Sequence, residues 1–163
     1  MIALDMETYG SRDLTKVGLR NYVDDPLFTP LIAVVAGEFT SEVFDFVTDG
    51  FEDTRNRLAD RLRGKIIAAH NAGFEHAVLK RIGIDIPIKQ FVDTAVVSAY
   101  YGGGRSLEAA AAQLLGRDKY ALGAELIKRF CIPGPYREKA GSLAFDPQIR
   151  EDQHTWWDEL IHY

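Results

Sequence analysis

The chain has 163 residues, of which 47% are hydrophobic and 26% charged, and its net charge is −5. This length and composition predict a single domain over residues 1–163 with a sizeable core. The negative charge argues against a protein that coats nucleic acid, but not against an enzyme that grips a few phosphates.

The first predicted element is a strand over residues 1–8 that carries two carboxylates on one face. Successive side chains of a strand point to opposite faces, so Asp5 and Glu7 share one face and the apolar residues between them share the other. A bare carboxylate pair at the end of a core strand is costly. The strand can instead present oxygen ligands to a two-metal site with ions about 3.5–4 Å apart. Helix capping or solvent exposure is the alternative interpretation.

The next predicted elements are a short helix and a hairpin of two strands. Asp13 is predicted to cap the helix, which covers residues 14–22. Residues 30–37 form a continuous apolar run typical of a buried strand, and residues 42–47 alternate as a strand does. The two strands are expected to pair through the turn between them.

Helices and short strands alternate after this hairpin. The predicted elements are a helix over 51–63, a strand over 65–70, and helices over 74–82, 94–101, 107–115, 122–130 and from 147 to the end. Residues 87–93 are predicted to lead into a fifth short strand. Ser106 is the predicted N-cap of its helix. The three glycines at 102–104 are interpreted as a hinge rather than a phosphate cradle, because they follow no strand and no lysine stands in P-loop spacing.

The order of these elements predicts an α/β fold. The first three strands are expected to form an antiparallel meander. The later strands enter through helical crossovers and therefore run parallel to the first. The prediction is a mixed five-stranded sheet with the first strand at its centre and helices on both sides.

Cys131 is the one cysteine of the chain. It rules out an internal disulfide and fits a reducing cytoplasm. We interpret it as a packed thiol rather than a reactive nucleophile. The N-terminus lacks the basic region of a signal peptide, and no apolar run reaches membrane-spanning length. A cytoplasmic location without a membrane partner is therefore expected.

A second polar group lies in the segment His70–Glu75, between a predicted strand and a helix. Strand ends next to a central strand are where open α/β sheets bind ligands. Glu75, in the first turn of the helix, can face the carboxylates of the first strand, although the helix dipole also stabilises an acid there. Asn71 can cap the helix. For His70 and His76, hydrogen-bonded structural roles are favoured over ligand roles.

The C-terminal helix collects acidic, aromatic and histidine side chains. They are Asp152, His154, Trp156, Trp157, Asp158, Glu159, His162 and Tyr163. A terminal tyrosine with neighbouring acids can position a water molecule. From spacing alone, an aromatic packing face with solvated charges is the better explanation.

Four segments in this order resemble the motifs of the DEDD-type 3′–5′ exonucleases, which have an RNase H-like fold. The segments are Asp5-Met6-Glu7-Thr8, His70-Asn71-Ala72-Gly73-Phe74-Glu75, Asp93-Thr94 and residues 157–163. The similarity covers nearly the whole chain and is greatest to the proofreading domains of family A DNA polymerases, particularly those of phages. Residues 13–18 and 106–111 also resemble that group.

The resemblance implies a proofreading-type exonuclease that hydrolyses phosphodiester bonds at a DNA 3′ end with two Mg²⁺ or Mn²⁺ ions. Asp5 would bridge both ions, Glu7 would hold the ion that activates the attacking water, and Glu75 would serve the other ion. The pocket for the 3′-terminal nucleotide would be lined by Met6, Thr8, Asn71 and Phe74. The implied partners are the 3′ end of single-stranded DNA and a DNA polymerase domain or subunit, in a bacterium or a phage-infected host cell.

Two departures from the family pattern concern the third and fourth acidic positions. The second motif usually carries Asp where this chain has Glu75, and the longer side chain can shift the second ion. The third motif is Tyr-x-x-x-Asp, and Tyr163 resembles its tyrosine, which would orient the attacking water. The chain then stops before the last carboxylate. We therefore expect a fragment that cleaves slowly or not at all. Replacement of the missing carboxylate by Asp158, together with His154, is the less favoured alternative.

Two other functions are compatible with the same sequence. A catalytically impaired nuclease fold can bind nucleic acid or support a polymerase, which the missing carboxylate and the negative charge favour. An RNase H-type endonuclease or resolvase shares the sheet and the acids but needs no free 3′ end.

The candidates for contacts with backbone phosphates are Lys16, Arg20, Lys80 and Arg105.

Overall fold

The computed structural model describes residues 1–116, 123–132 and 158–161, which form a sheet with helices around it. The strands are β1 (Ile2–Tyr9), β2 (Thr29–Ala36), β3 (Ser41–Asp45), β4 (Ile67–Ala69) and β5 (Phe91–Asp93). The helices are α1 (Leu14–Val23), α2 (Phe51–Leu62), α3 (Ala72–Arg81), α4 (Thr94–Tyr100), α5 (Leu107–Leu115) and α6 (Gly123–Phe130). Residues 158–161 are helical, and the rest of the predicted C-terminal helix lies outside the described residues.

The sheet has five strands in the order β3-β2-β1-β4-β5, so β1 lies at its centre. β1 pairs antiparallel with β2, and β2 pairs antiparallel with β3. β4 runs parallel to β1, and β5 runs parallel to β4 because α3 carries the chain back between them. The predicted mixed sheet, with its meander and its central first strand, is confirmed, and the arrangement is consistent with an RNase H-like fold.

The side chains of β1 alternate between two environments. Ile2, Leu4 and Met6 are buried, whereas Asp5 is exposed and Glu7 is half-buried, as a period of two predicts. The buried face packs against residues of α1, α2 and α3. On the other face of the sheet, a second cluster includes residues of α6. The central strand therefore carries its carboxylates on the face opposite the main core.

The pairing of β1 with β2 is irregular beside Glu7. Glu7 pairs with Ile32, whereas Thr8 pairs with Pro30, so the register skips Leu31. Proline has no backbone N–H to donate, and a break in the regular pairing accommodates it inside a sheet. Such irregularities increase local twist and re-aim side chains. Here the break lies between two residues of the first acidic motif.

Helix α1 begins as predicted but is kinked. Asp13 accepts a hydrogen bond from the Thr15 N–H at 2.9 Å, which confirms the predicted cap. Gly18 leaves helical geometry, with φ 75° and ψ 162°. An L side chain is strained at that φ, so the glycine permits the kink. The prediction of an unbroken helix is wrong here because hydrophobic spacing does not register the dihedral angles of one glycine.

The Asp93 carboxylate caps the N-termini of two helices. Its carboxylate accepts hydrogen bonds from the Ala95 N–H (2.9 Å) and the Val96 N–H (3.3 Å) of α4. It also accepts from the Ala72 N–H (3.1 Å) and the Asn71 N–H (3.3 Å) at the start of α3. Asn71 occupies the N-cap position of α3, but its side chain makes no cap hydrogen bond, so the expected capping role is wrong. With this remote cap, α3 begins two residues before the predicted start.

Replacing Asp93 with Ala is expected to lower the free energy of unfolding by about 1–4 kcal/mol, because one lost N-cap costs about 0.5–2 kcal/mol and this carboxylate caps two helices. Urea denaturation measures the change. The variant Asp13→Ala is a matched control, since Asp13 caps one helix, and it is expected to cost about 1 kcal/mol. Equal losses in the two variants would contradict the double cap.

Candidate functional site

Three predicted acidic residues come from two elements that meet beside the central strand. Asp5 and Glu7 project from one face of β1, and Glu75 lies in the first turn of α3. Helix α3 follows β4, the parallel neighbour of β1. Its first turn therefore lies at the carboxyl end of a parallel strand, where α/β sheets bind ligands.

Glu75 is a buried acid whose surroundings disfavour its charged form. The residue is 3% exposed. Burial raises the pKa of Glu75 to about 8, and the charges of Asp5, Asp93 and Glu7 also raise it, against a backbone hydrogen bond that lowers it. Its Oε2 atom has no hydrogen-bond partner among the described residues. Ionising this group is therefore costly unless a cation joins it.

The ligand chemistry of these acids suits a hard divalent cation. Mg²⁺ and Mn²⁺ prefer oxygen ligands, and a cation would compensate the like charges of Asp5 and Glu7 as well as the buried Glu75 oxygen. Within the described part of the chain, no group of three or more His, Cys, Asp or Glu side chains is arranged to hold a metal ion. The acids thus fit a cation by charge and ligand type without forming a closed ligand shell.

A cleft of about 230 Å³ lies beside Glu7. Met6, Thr8 and Phe74, three of the four residues predicted to line a nucleotide pocket, form part of its wall. The remaining lining residues are Arg12, Asp13, Leu14, Thr15, Tyr22, Ile127, Cys131 and Ile132. Pockets for drug-sized ligands measure about 300–1,000 Å³. The smaller cleft therefore suits one nucleoside-sized group rather than a duplex.

A buried hydrogen bond between Thr8 and Tyr22 stabilises one wall of the cleft. The two hydroxyl oxygens lie 2.9 Å apart, and burial raises the pKa of Tyr22 to about 12. The Tyr22 ring packs near Phe74, with ring centroids 6.4 Å apart. A Cβ added at Gly10 would lie 2.7 Å from Tyr22 Cε2, so a glycine lets the backbone approach this ring. These contacts hold Thr8 and Phe74 in position before any ligand binds.

Cys131, directly after α6, contacts the acidic face of β1. Its thiol donates a hydrogen bond to Glu7 Oε2 at 3.4 Å. The residue is buried, which confirms the predicted packed thiol. Its contact with Glu7 restricts one carboxylate of the pair.

The two histidines beside the site have structural contacts. His70 Nε2 donates to the Arg105 carbonyl at 2.9 Å, and His70 Nδ1 lies 3.1 Å from the Thr94 hydroxyl. The His76 ring packs edge-on against Phe91, with centroids 5.5 Å apart. The predicted structural role of His70 is therefore confirmed by its hydrogen bonds, and His76 packs against an aromatic ring.

The described structure does not bring two predicted site residues to the cleft. Asn71 is exposed, adopts a left-handed conformation with φ 75°, and contributes nothing to the described cleft lining. Tyr163 lies outside the described residues, as does His154. Asp158 is exposed in the short helical segment 158–161.

The four candidate phosphate contacts lie in three places. Lys16 pairs with Asp13 at 3.5 Å on the exposed surface of α1. Arg20 and Lys80 line one open groove between α1 and α3. Arg105 is exposed in the turn before α5. The structure thus brings two of the four together.

Asp93 and Cys131 contact the site residues in ways that the sequence prediction missed. The position of Asp93 at the end of a strand beside β4 is a signal that was available, because ligands and helix starts gather at such strand ends. Cys131 carries no comparable local signal, since 124 residues separate it from Glu7.

Comparisons with known proteins do not identify a family. No protein-family model matches the chain, and no curated protein matches it. Within the described residues, no helix is long and apolar enough to span a membrane. A functional assignment therefore rests on the residues of the site.

Proposed function

We propose that the chain is the 3′–5′ exonuclease domain that its motifs resemble, and that it hydrolyses phosphodiester bonds at a DNA 3′ end with divalent cations. The observation that carries the proposal is the environment of Glu75. This carboxyl group is buried, its Oε2 has no hydrogen-bond partner among the described residues, and three further acids act on it. Such an arrangement weakens the folded state unless a cation completes it.

Asp5, Glu7 and Glu75 are the residues that would hold Mg²⁺ or Mn²⁺. When bound, such ions stabilise the attacking and leaving oxygens of in-line phosphodiester hydrolysis. Glu75 would release its proton on becoming a ligand, so cation binding would depend on pH. Cys131 orients Glu7 through the thiol hydrogen bond.

The cleft residues bind and orient the terminal nucleoside. Phe74 is half-buried in the lining and presents an aromatic ring on which a base can stack. The Thr8–Tyr22 hydrogen bond restrains the Thr8 side chain in the same lining. Arg12, which is exposed at the same cleft, supplies a positive charge for a phosphate. A base inside a duplex cannot enter without unpairing, so the cleft selects a free end.

Degradation of a 5′-labelled single-stranded oligonucleotide with Mn²⁺ tests the proposal. The samples are residues 1–163 and the polypeptide translated from the complete reading frame. A ladder that shortens from the 3′ end is expected for the complete polypeptide, and EDTA should abolish it. A substrate with a 3′-phosphate should stay intact, because the metal site needs the free end. Cleavage of the blocked substrate would favour an endonuclease, and no cleavage by either sample would overturn the proposal.

A second function, a catalytically impaired module that binds nucleic acid, is favoured by one observation. The described part of the chain has no ready group of three metal-ligating side chains. This function predicts single-strand binding that persists in EDTA, together with no hydrolysis by the complete polypeptide. Measuring binding and hydrolysis on the same preparation separates the two functions.

A further inference from the structure

We infer that an open groove between α1 and α3 binds the phosphate backbone of single-stranded DNA a few nucleotides from the 3′ end. This inference rests on the proposed function, because it extends the same substrate away from the cleft. The groove has a volume of about 600 Å³ and is lined by Leu19, Arg20, Val23, Asp24, Ala77, Lys80 and Arg81. Its lining holds three cations and one acid, although the whole chain carries a net charge of −5.

The cations converge from the last turns of two helices. Arg20 lies in the last turn of α1, and Lys80 and Arg81 lie in the last turn of α3. A cation at the C-terminus of a helix stabilises that helix through its dipole, which accounts for one cation on each helix. It does not account for their meeting in one groove, where Asp24 is the one acid in the lining and three cations leave a net positive charge that attracts a further anion.

Arg81 and the other two cations have different contacts. Arg81 Nε donates to the Val23 carbonyl at 2.7 Å, which ties α3 to the end of α1. All three residues are exposed, but the Nε of Arg81 is committed to this contact. We therefore assign Arg81 a structural role at the groove, and we assign the phosphate contacts mainly to Arg20 and Lys80.

Helix α3 contributes side chains to both the cleft and the groove. Phe74 lines the cleft, whereas Ala77 and Arg81 line the groove. Spacings of three and four residues place these side chains on one face of the helix. At 1.5 Å per residue, Lys80 lies about 9 Å along the helix axis from Phe74. That distance corresponds to about two or three stacked nucleotides at 3.4 Å each.

Helix α1 also contributes to both the cleft and the groove. Leu14 and Tyr22 line the cleft, and Leu19 and Arg20 line the groove. One strand that leaves the cleft along the seam between α1 and α3 therefore meets the cations next. Charge complementarity, together with the position of the cleft and the groove on the same two helices, favours a nucleic-acid strand over an acidic protein as the occupant.

Fluorescence anisotropy with 5′-labelled dT12 and dT3 tests the groove, with EDTA present so that the probes stay intact. The double variant Arg20→Gln/Lys80→Gln is expected to bind dT12 at least tenfold more weakly than the wild type. For this variant, the slope of log affinity against log salt concentration should be shallower by about 1.4, because each lost phosphate contact on a single strand contributes about 0.7 to the slope. Binding of dT3, whose 3′-terminal nucleoside fills the cleft and whose two phosphates end before the distance of about 9 Å to Lys80, should change less than twofold.

The double variant Lys65→Gln/Lys89→Gln is the matched control, because it removes two exposed lysines outside the groove. It should bind dT12 within twofold of the wild type with an unchanged salt slope. Near-ultraviolet circular dichroism checks that both double variants are folded. If the groove variant binds dT12 like the wild type, or if both double variants lose affinity equally, the inference is overturned.

Two further results separate this inference from the proposed function. Polyglutamate that displaces dT12 as well as unlabelled dT12 does would assign the groove to acidic polypeptides and overturn the inference. Loss of dT12 binding in the groove variant, combined with no hydrolysis by the complete polypeptide, would retain the groove and reject the exonuclease. Hydrolysis by the complete polypeptide, combined with unchanged dT12 binding in the groove variant, would retain the exonuclease and reject the groove.

Discussion

Replacing Asp5 with Asn is expected to lower the rate of Mn²⁺-dependent shortening from the 3′ end at least about 1,000-fold in the complete polypeptide. Asp5 projects from the central strand on its acidic face, and the family resemblance implies that it contacts both cations. Asparagine keeps the shape of the side chain but not its charge. Losing a single preorganised group that stabilises transition-state charge typically costs about 10²–10³ in rate, and under the proposed function two ions would lose a ligand.

The initial rate of the oligonucleotide ladder measures this effect. Glu38→Gln is the control, because it makes the same type of change at an exposed residue between β2 and β3, and its rate should stay within twofold of the wild type. Near-ultraviolet circular dichroism checks that Asp5→Asn is folded. A rate within tenfold of the wild type would remove Asp5 from the metal site and refute the proposed function.

The architecture of the sheet was predictable because it follows from short-range patterns. The apolar residues of β1 recur at every second position, and each of Ile2, Leu4 and Met6 is buried. Helix starts with a strong chemical marker were also predictable. Ser106 caps α5 by accepting a hydrogen bond from the Ala109 N–H at 3.2 Å. In each case the signal and the structure that it determines lie within a few residues of each other.

Features that depend on distant residues were not predictable in this way. The start of α3 is set by Asp93, which is 21 residues from Ala72 along the chain, so the local sequence placed that start too late. The contact of Cys131 with Glu7 spans 124 residues. Neither pairing follows from periodicity or from helix propensity, because both require the sheet to be assembled first.

The candidate site shows the same division. Met6, Thr8 and Phe74 meet at one cleft because strand alternation and the first turn of α3 fix their directions. Asn71 was expected beside them, but its backbone N–H donates to Asp93 and its side chain is exposed. A side chain at the left-handed residue that joins a strand to a helix is directed by that conformation, which the motif alone does not reveal.

Replacing Glu75 with Gln is expected to remove a pH-dependent loss of stability on the order of 4 kcal/mol. Burial is the main cause that raises the pKa of Glu75 from 4.5 to about 8 in the folded protein. Between these values the folded protein keeps a proton that the unfolded chain has released. The free energy of unfolding therefore falls as the pH rises from about 4.5 to about 8, and it levels off above that value. Glutamine stays neutral, so the variant lacks this slope.

Urea denaturation in EDTA at pH values from 5 to 9 measures the difference. The variant and the wild type should be equally stable near pH 5, and the variant should be the more stable protein at pH 9. Glu38→Gln again serves as the control, since the same change at an exposed carboxylate should leave the wild-type slope in place. A wild-type protein without a slope would mean that Glu75 is ionised and already compensated within the fold.

A divalent cation should act on the same carboxyl group in the opposite sense. It binds the ionised form, so it lowers the apparent pKa of Glu75 and restores stability at high pH. At pH 8, Mn²⁺ at 100 times its Kd should stabilise the wild type by about 2.7 kcal/mol, and it should stabilise Glu75→Gln much less at the same concentration. Equal stabilisation of the two proteins would place the cation away from Glu75. A glutamic acid with a purely structural role would give the pH slope without its reversal by Mn²⁺, so the two measurements together distinguish a metal ligand from a strained core residue.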